Sequence, residues 1–170
     1  MSLIDEILRI EHEYVKAVVG FLIRGDEILL GERIKVSGGL GQNTFAGPGG
    51  KVEPGETDDE AIKREIMEEI GVEITNYKRL GRIRFLNPGK QNWDFDASAY
   101  FVYEWKNKPQ ETDVMRPVWF KTNELPVDKM WEDNIDLLTR ALKGEVIDMI
   151  YLYEDGKVTE TKNLIHLKNT

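Results

Sequence analysis

The stretch of sequence that decides the fold runs over residues 50–72 and reads GKVEPGETDDEAIKREIMEEIGV. Its second half carries the signals of a helix, because Thr57 is a good N-cap and Glu60, three residues later, completes a capping box. Gly71 is a typical residue at a helix C-terminus. Between these ends an apolar stripe recurs at helical spacing, formed by Ile62, Ile66 and Ile70. We therefore expect an amphipathic helix between residues 57 and 71.

This helix gathers Glu65, Glu68 and Glu69 on one arc. At about 100° per residue, Glu69 lies only about 20° from Ile62, so one end of the arc adjoins the buried stripe. The ordinary interpretation is a solvated face, in which Arg64 pairs with glutamates four residues away on either side. A carboxylate at the margin of a core stripe is costly unless a charge compensates it, and a hard cation such as Mg²⁺ compensates clustered carboxylates best. The arc therefore indicates a metal site.

The segment before the helix, from Ser37 to Glu56, contains seven glycines and two prolines, which is the composition of loops and tight turns. Glycine allows the backbone to approach a ligand closely, and a loop that enters a helix N-terminus presents free N–H groups. By itself this segment is explained by structural turns. Beside the acidic arc, it indicates metal-assisted cleavage of a phosphate ester or anhydride.

Strand-like and helical segments surround this stretch. Residues 15–25 and 27–36 form a predicted hairpin around Gly25-Asp26, and Asp155-Gly156 predicts a second hairpin at the C-terminus. The other candidate elements are strands at 77–86, 97–105 and 116–120, and helices at 2 to about 12 and at 130–144. Because strands and helices are mixed without regular alternation, we expect an α+β domain with a mixed sheet.

Composition limits the classes of function. A chain of 170 residues fits one domain, and its net charge of −8 makes a nucleic-acid polymer a poor partner. No apolar run approaches the ~20 residues that a membrane span needs, so no membrane partner is expected. The absence of cysteine suits a cytoplasmic protein. His12 and His166 are far apart in sequence, so we do not expect a histidine-built zinc site.

The spacing within residues 50–72 resembles the signature of the Nudix hydrolase family. Nine specified positions of that signature fall in this frame of 23 residues: Gly50, Glu56, Arg64, Glu65, Ile66, Glu68, Glu69, Gly71 and Val72. The resemblance implies the Nudix fold, an α/β/α sandwich around a mixed β-sheet. It also implies Mg²⁺- or Mn²⁺-dependent cleavage of a nucleoside diphosphate linked to another group.

The likeness extends beyond the signature, from about residue 15 to about residue 166. The stretches LLGER, FAGPGGKV, MRPVWF and KMWEDN and the closing hairpin resemble MutT-type pyrophosphatases that hydrolyse oxidised purine nucleoside triphosphates such as 8-oxo-dGTP. We accordingly expect an N-terminal helix over residues 1–13 and one Nudix domain over residues 14–166, with the oligomeric state left open.

The resemblance assigns roles to the signature residues. The expected metal ligands are Glu65, Glu68, Glu69 and, through its backbone carbonyl, Gly50. Glu65 is also the candidate base for the attacking water. Arg64 resembles the arginine that orients the acids, and Glu56 resembles the acid that this arginine meets. The number of metal ions stays open.

The residues expected to read the base depart from the subgroup pattern. The subgroup uses a tryptophan and two neighbouring aspartates, whereas this chain has Trp131, Asp133 and Asn134. An amide fixes one donor and one acceptor face, which an aspartate does not. Ala46 and Val18 stand where the subgroup has a base-contacting asparagine and a threonine. A purine is expected to stack on Trp131, with a core or helix-start role as the alternative, and selectivity for 8-oxo purines stays open.

Three further residues are candidate substrate contacts. They are Phe45, Arg33 and Lys51. For Phe45, and for Phe85, core packing is the alternative, and for Arg33 the alternative is a solvated surface position. Many relatives place an additional metal-binding glutamate where this chain has Val114, and Glu111 or Asp113 is the candidate replacement.

Three hypotheses about function remain. The leading one is hydrolysis of a (deoxy)nucleoside triphosphate to a monophosphate and pyrophosphate, which clears damaged nucleotides from the pool. The second keeps the chemistry and changes the substrate to a pyrimidine triphosphate or ADP-ribose. The third is a non-catalytic domain that senses a nucleotide. Retention of every signature carboxylate argues against the third, because without metal three adjacent acids only destabilise the helix.

Overall fold

The structure, a computed structural model, describes residues 1–10, 13–34, 42–90 and 93–165. Both histidines discussed above, His12 and His166, lie outside the described residues. The helices are α1 Leu3–Leu8, α2 Asp58–Ile70 and α3 Glu132–Leu142, with a short 3₁₀ turn at Val127–Lys129. The strands are β1 Val15–Arg24, β2 Glu27–Arg33, β3 Phe45–Ala46, β4 Gly49–Lys51, β5 Glu73–Leu86, β6 Phe95–Lys106, β7 Met115–Lys121, β8 Ile147–Glu154 and β9 Lys157–Asn163.

Within these described ranges the strands form one mixed sheet. Its main path has the order β3-β2-β1-β6-β5-β8-β9, with β4 paired to β1 and β7 paired to β2. The β1/β6 and β5/β8 pairs are parallel, and the other pairs are antiparallel. The predicted α+β class and mixed sheet are therefore confirmed.

The two longer helices cover opposite faces of the sheet. Alternate residues of β6 pack into two different cores, with Phe101 in one and Val102 in the other. The core on the first face contains Leu137 and Leu138 of α3, and the core on the second face contains Ile66 of α2. Successive side chains of a strand point to opposite faces, so the layers are helix, sheet and helix.

The N-terminal helix packs onto the face that α2 occupies. Ile4 is fully buried against Leu86, Ile150 and Leu152, and the Asp5 carboxylate accepts a hydrogen bond from the Lys162 ammonium. The helix ends at Leu8, earlier than the predicted residue 12, and the Ile10 side chain beyond it is 68% exposed. The proposed division at residue 13 stays a prediction.

Both predicted hairpins are present. The Arg24–Glu27 pair closes the first around Gly25 and Asp26. In the second, Asp155 has φ 52° and Gly156 has φ 77°, as the two central residues of a type I′ turn require. No helix in the described part of the chain is long and apolar enough to cross a membrane.

Candidate active site

Helix α2 is fixed at both ends and along one face, which sets the position of its acids. The Thr57 hydroxyl accepts a hydrogen bond from the Glu60 N–H at 3.1 Å, and Gly71 has φ 72°, so the predicted caps are confirmed. The stripe of Ile62, Ile66 and Ile70 is fully buried against the sheet. The register of the glutamates is therefore fixed by the core.

Glu65 and Glu69 form a carboxyl pair at the edge of this buried stripe. The Glu65 side chain is only 12% exposed, and its carboxyl is in hydrogen-bonding contact with that of Glu69. Burial raises the pKa of Glu69, and the neighbouring Glu65 raises it further, whereas Arg33 and the Gly49 N–H act in the opposite direction. Two carboxylates held together out of water repel each other, and a divalent cation bound between them offsets this repulsion.

The backbone of Gly50 passes against this pair. Strand β4 is paired with β1 through Gly50 and Val18, which brings the glycine to the face that α2 covers. A Cβ at residue 50 would lie 2.6 Å from Glu65 Oε1, a distance that real Cβ atoms do not adopt. Only glycine therefore allows the β4 backbone and the Glu65 carboxylate to lie this close together.

Arg64 ties the preceding loop to the acidic arc. Its guanidinium donates to both Glu56 oxygens, at 2.7 and 2.8 Å, and to the Lys51 carbonyl at 3.0 Å. It also donates to Glu65 Oε1 at 2.8 Å and to Glu68 Oε2 at 3.3 Å. The structure thus brings Arg64, Glu56 and Glu65 together, and their catalytic roles stay predictions.

Glu68 differs from the other two acids of the arc. Its side chain is 57% exposed and its contact is with Arg64. Among the described residues, no group of three or more Asp, Glu, His or Cys side chains is arranged to hold a metal ion. The residues that do fit a divalent cation are the Glu65–Glu69 pair and the Gly50 backbone beside it, and the ligand role of Glu68 stays a prediction.

Two adjoining cavities lie between the Gly50 backbone, which passes against Glu65, and the start of α3. The inner cavity, of about 330 Å³, has Gly49, Gly50 and Lys51 at one end and Asp133 and Asn134 at the other. The outer cavity, of about 970 Å³, is lined by Trp131, Trp93 and Tyr153. The two cavities share Arg33, Phe85, Phe95, Asp133 and Asn134. Volumes of this size are typical of small-molecule sites.

A buried carboxyl lies at the far end of the inner cavity. Asp133 is 6% exposed, and its two oxygens accept hydrogen bonds from the Tyr153 hydroxyl and, at 3.3 Å, from the Asn134 amide. Burial raises the pKa of Asp133 to about 6, although the Tyr153 hydrogen bond acts to lower it. Trp131 is the N-cap residue of α3, and its ring lies edge-on to Tyr153 at a centroid distance of 6.0 Å.

The cavity walls include most of the predicted substrate contacts. Val18 and Ala46, the positions that depart from the subgroup, both line the inner cavity. Phe85 lines both cavities and also stacks on Tyr151 at 6.1 Å. Phe45, in contrast, is buried against Phe120 at 5.1 Å and lines neither cavity. The cavity walls therefore do not support a substrate contact for Phe45, and that contact stays a prediction.

The segment around Val114 lies against the end of α2. The Thr112 hydroxyl donates to the Glu69 carbonyl at 2.8 Å, which holds the segment at the last turn of the helix. Glu111 and Asp113, on either side of Thr112, are exposed. Both are next to Thr112 in sequence. That one of them replaces the additional metal-binding glutamate of the relatives stays a prediction.

Tyr153 and Phe95 are two cavity residues that sequence reasoning missed. The predicted hairpin placed Tyr153 just before a turn, without indicating which face its side chain takes. The signal was the alternation in β8, since Met149 and Tyr151 pack in the core under α3 and Tyr153 follows at the same spacing. Which helix lies opposite Tyr153 could be learned only from the tertiary structure.

Comparisons with known proteins agree with this geometry. The chain is 32% identical over 114 residues to a Danio rerio protein named oxidized purine nucleoside triphosphate hydrolase, covering 67% of this chain and 70% of that one. It is 35% identical over 95 residues to a Haemophilus influenzae protein named 8-oxo-dGTP diphosphatase, covering 56% and 68%. A crystal structure of a mutator MutT protein from Bacillus halodurans superposes with a TM-score of 0.74 at 19% identity, covering 87% of this chain and 96% of that one, and shows the shared fold.

The family model for the NUDIX domain matches residues 13–141, a span that begins just before β1 and ends within α3. It therefore contains both the acid pair on α2 and the Asp133–Asn134 pair on α3. Members of this family generally use divalent metal ions. The fold, the acid arc and this match agree, and the chain belongs to the Nudix family.

Proposed function

We propose that this protein hydrolyses a (deoxy)nucleoside triphosphate to a monophosphate and pyrophosphate, with an oxidised purine such as 8-oxo-dGTP as its substrate. The observation that carries the proposal is the inner cavity, because its lining includes both Gly50, whose backbone lies against Glu65, and the Asp133–Asn134 pair. A single nucleotide can then present its phosphates to the first end and its base to the second. Two relatives whose names specify this substrate class support the same assignment.

The phosphate end has the groups that the reaction needs. Glu65, Glu68, Glu69 and the Gly50 carbonyl would hold Mg²⁺ or Mn²⁺. Bound there, such an ion supplies charge neutralisation of the phosphates and a water of lowered pKa. Glu65 would accept the proton of that water, because its carboxylate is positioned by a 2.8 Å hydrogen bond from Arg64. Arg33 and Lys51, which line the inner cavity together with Gly50, add positive charge for the phosphates.

The base end has a stacking surface and two polar groups. Trp131 offers an aromatic ring at the outer cavity, and Asp133 and Asn134 offer hydrogen bonds where the two cavities meet. The neighbouring wall at Val18 and Ala46 is apolar and contributes no side-chain hydrogen bond. Selection among bases therefore falls on Asp133 and Asn134, and loss of one such buried contact changes selectivity by about 1–3 kcal/mol.

A second candidate substrate is ADP-ribose or another nucleoside diphosphate linked to a large group. The outer cavity favours it, since about 970 Å³ exceeds what a nucleobase alone requires. A non-catalytic nucleotide sensor is the third candidate. The Glu65–Glu69 pair argues against it, because two carboxyls in contact at the edge of a core are destabilising unless a cation joins them.

A substrate panel tests the proposal. The purified protein with Mg²⁺, and separately with Mn²⁺, is offered 8-oxo-dGTP, the standard nucleoside triphosphates and ADP-ribose, and release of pyrophosphate and monophosphate is measured. The Glu65→Gln protein, prepared identically, measures any contaminating phosphatase. We expect the highest kcat/KM with 8-oxo-dGTP. A preference for ADP-ribose would favour the second candidate, and tight nucleotide binding without turnover would favour the sensor.

The expected cellular context is the cytoplasm, where a nucleotide pool is available and a chain without cysteine needs no oxidising compartment. The partner is a small nucleotide rather than a nucleic-acid polymer, because a net charge of −8 opposes long-range attraction of a polyphosphate chain.

A further inference from the structure

Tyr153 contacts three residues at the base end of the cavity. Its hydroxyl donates a hydrogen bond to Asp133 Oδ1. Its ring lies edge-on to Trp131, with centroids 6.0 Å apart and an interplanar angle of 72°, and tilted against Phe85 at 6.3 Å. Tyr153 belongs to β8, next to the turn of the C-terminal hairpin, whereas Asp133 and Trp131 lie at the start of α3. One side chain of the hairpin thus supports the polar and the aromatic parts of the base end.

Asp133 is held as a hydrogen-bond acceptor. One of its oxygens receives the Tyr153 O–H and the other receives the Asn134 amide at 3.3 Å. A carboxylate accepts at both oxygens, whereas a protonated carboxyl offers one donor. Donors directed at both oxygens therefore favour the ionised group, against the cost of its burial.

We propose that Tyr153 is a specificity-determining positioning residue, whose hydroxyl keeps Asp133 an acceptor so that the cavity selects guanine-type over adenine-type purines. This inference rests on the proposed function. Guanine and its oxidised forms present N–H donors at N1 and N2, and these donors pair with a carboxylate. Adenine presents an acceptor at N1, which a carboxylate repels and a protonated carboxyl binds.

Several charged and titratable groups around Asp133 act on its pKa together with the Tyr153 hydroxyl. Burial raises the pKa of Asp133 to about 6, and Glu132 on the same helix acts in the same direction. From β8, Tyr153 donates its hydrogen bond, whereas the neutral Tyr151 hydroxyl, whose pKa is raised by burial, donates to Asp136 instead. From β2, the Arg33 guanidinium lines the same cavities. Removal of the Tyr153 hydroxyl takes away the hydrogen bond that opposes burial, so the pKa of Asp133 rises towards neutrality.

Tyr151 supplies a matched control. It lies two residues earlier on β8, and its hydroxyl donates to Asp136 Oδ2 at 2.6 Å, so it also joins the strand to a carboxylate of α3. Asp136 is additionally paired with Arg140 at 3.0 Å and is not among the residues that line either cavity. Tyr151→Phe therefore removes the same atom from the same strand–helix contact, outside the base end.

The first experiment compares kcat/KM for 8-oxo-dGTP and for 8-oxo-dATP, whose N1 is an acceptor, in the wild type, Tyr153→Phe and Tyr151→Phe. We expect Tyr153→Phe to lower the ratio of the two values by about tenfold or more, the effect of a lost buried hydrogen bond to a charged group. The change should appear in KM, since Tyr153 does not reach the phosphate end, and the ratio should fall at a higher pH than in the wild type. Tyr151→Phe should keep the wild-type ratio. An equal change in both variants, or in neither, would overturn the proposal.

The second experiment requires no turnover and separates this inference from the proposed function. The Asp133 side-chain carboxyl is followed by carbon-detected NMR from about pH 4 to about pH 8 in the same three proteins. Tyr153→Phe should raise the pKa of Asp133 by about 1, and Tyr151→Phe should leave it unchanged. An unchanged Asp133 titration in Tyr153→Phe would overturn the role of the hydroxyl. If the wild type hydrolysed no purine triphosphate, the proposed function would fail, and the selectivity assigned to Tyr153 would fail with it even where the titration moved as expected.

Discussion

Arg64 holds Glu56 through two parallel hydrogen bonds, from Nε to Oε2 at 2.7 Å and from Nη2 to Oε1 at 2.8 Å. The same guanidinium reaches the candidate base Glu65 at 2.8 Å. The Arg64 hydrogen bonds lower the pKa of Glu56 to about 2, so this carboxylate is ionised throughout the physiological range. The Arg64–Glu56 ion pair therefore connects the loop to the Glu65–Glu69 pair. The position of the Glu65 carboxylate depends on the planar, forked guanidinium of Arg64.

Arg64→Lys should lower kcat by about tenfold to a hundredfold, because a single ammonium cannot replace the forked contacts to Glu56 together with the bond to Glu65. The measurement is kcat as a function of Mg²⁺ concentration. Arg140→Lys is the control, since Arg140 pairs with Asp136 on α3 away from the acid pair, and it should retain wild-type kcat. Wild-type turnover in Arg64→Lys would remove the positioning role of the guanidinium.

Glu65→Gln should lower kcat by about 10²- to 10⁴-fold, because an amide cannot accept the proton of the attacking water. The melting temperature should not fall, since the amide can donate to Glu69 and ends the contact between two carboxyls. Stopped assays and thermal unfolding measure the two quantities on the same samples.

Glu53→Gln is the matched control for Glu65→Gln. Glu53 also faces Arg64, at 3.7 Å, but its side chain is 64% exposed and lies outside the acid pair. It should keep near-wild-type turnover. If Glu65→Gln did the same, the assignment of Glu65 as the base would be wrong.

Gly50→Ala should lower both activity and stability, because its Cβ would lie 2.6 Å from Glu65 Oε1 and the carboxylate would have to move. Such overpacking costs about 1–3 kcal/mol of unfolding free energy. In a Glu65→Ala background the added methyl group meets no carboxylate, so most of this cost should disappear. Urea unfolding of the four proteins of this cycle gives the coupling, expected at about 1 kcal/mol or more. Additive costs would show that the close approach is not the cause.

The parts of the fold that the sequence predicted well are those determined by residues adjacent in sequence. The limits of α2 follow from Thr57 and Gly71, whose cap roles depend only on neighbouring residues. The C-terminal hairpin follows from Asp155-Gly156, where the turn chemistry alone sets the geometry. Strand β5 was predicted to begin at residue 77 and begins at Glu73, since its first residues pair with the end of β6 through irregular register that no local pattern reveals.

The site was predicted in composition but not in arrangement. A helical wheel places Glu65, Glu68 and Glu69 on one arc, and the structure separates them into a buried pair and an exposed partner of Arg64. The separation depends on where β4 approaches the helix, which is a property of the whole sheet. Tyr153 was missed for the same reason, because its contact with Asp133 joins residues 20 positions apart in sequence.

Asn134→Asp should strengthen selection for oxidised purines. The Asn134 amide donates to Asp133 at 3.3 Å, and a second carboxyl in its place would share a proton with Asp133 instead of fixing one donor and one acceptor. The expected change is about tenfold in the ratio of kcat/KM for 8-oxo-dGTP and dGTP, within the usual effect of one buried contact. Asn107→Asp, in the exposed segment after β6, is the control for the added charge. An unchanged ranking of substrates would remove Asn134 from the base end.

Asp96→Asn should destabilise the protein near neutral pH and less so in acid. Burial acts to raise the pKa of Asp96, but Arg82, with hydrogen bonds of 2.8 and 2.7 Å, and Lys16 hold it below its ordinary value of 3.8. A pKa that is lower in the folded than in the unfolded protein means that the ionised carboxylate stabilises the fold above about pH 4. That contribution is lost as the pH falls through the folded pKa.

The expected loss in unfolding free energy near pH 7 is about 1–2 kcal/mol, since Arg82 is 39% exposed and solvent screens the pair in part. Urea unfolding at a series of pH values from about 7 to about 2 measures it. Asp26→Asn is the control, because the Asp26 side chain is 74% exposed and its pairing with Lys121 contributes little. The wild type and Asp96→Asn should converge in stability as the pH falls through the lowered pKa of folded Asp96, because the wild-type carboxylate then becomes protonated as well. A difference that widened in acid would contradict the assigned sign and show that Asp96 stabilises the fold in its neutral form.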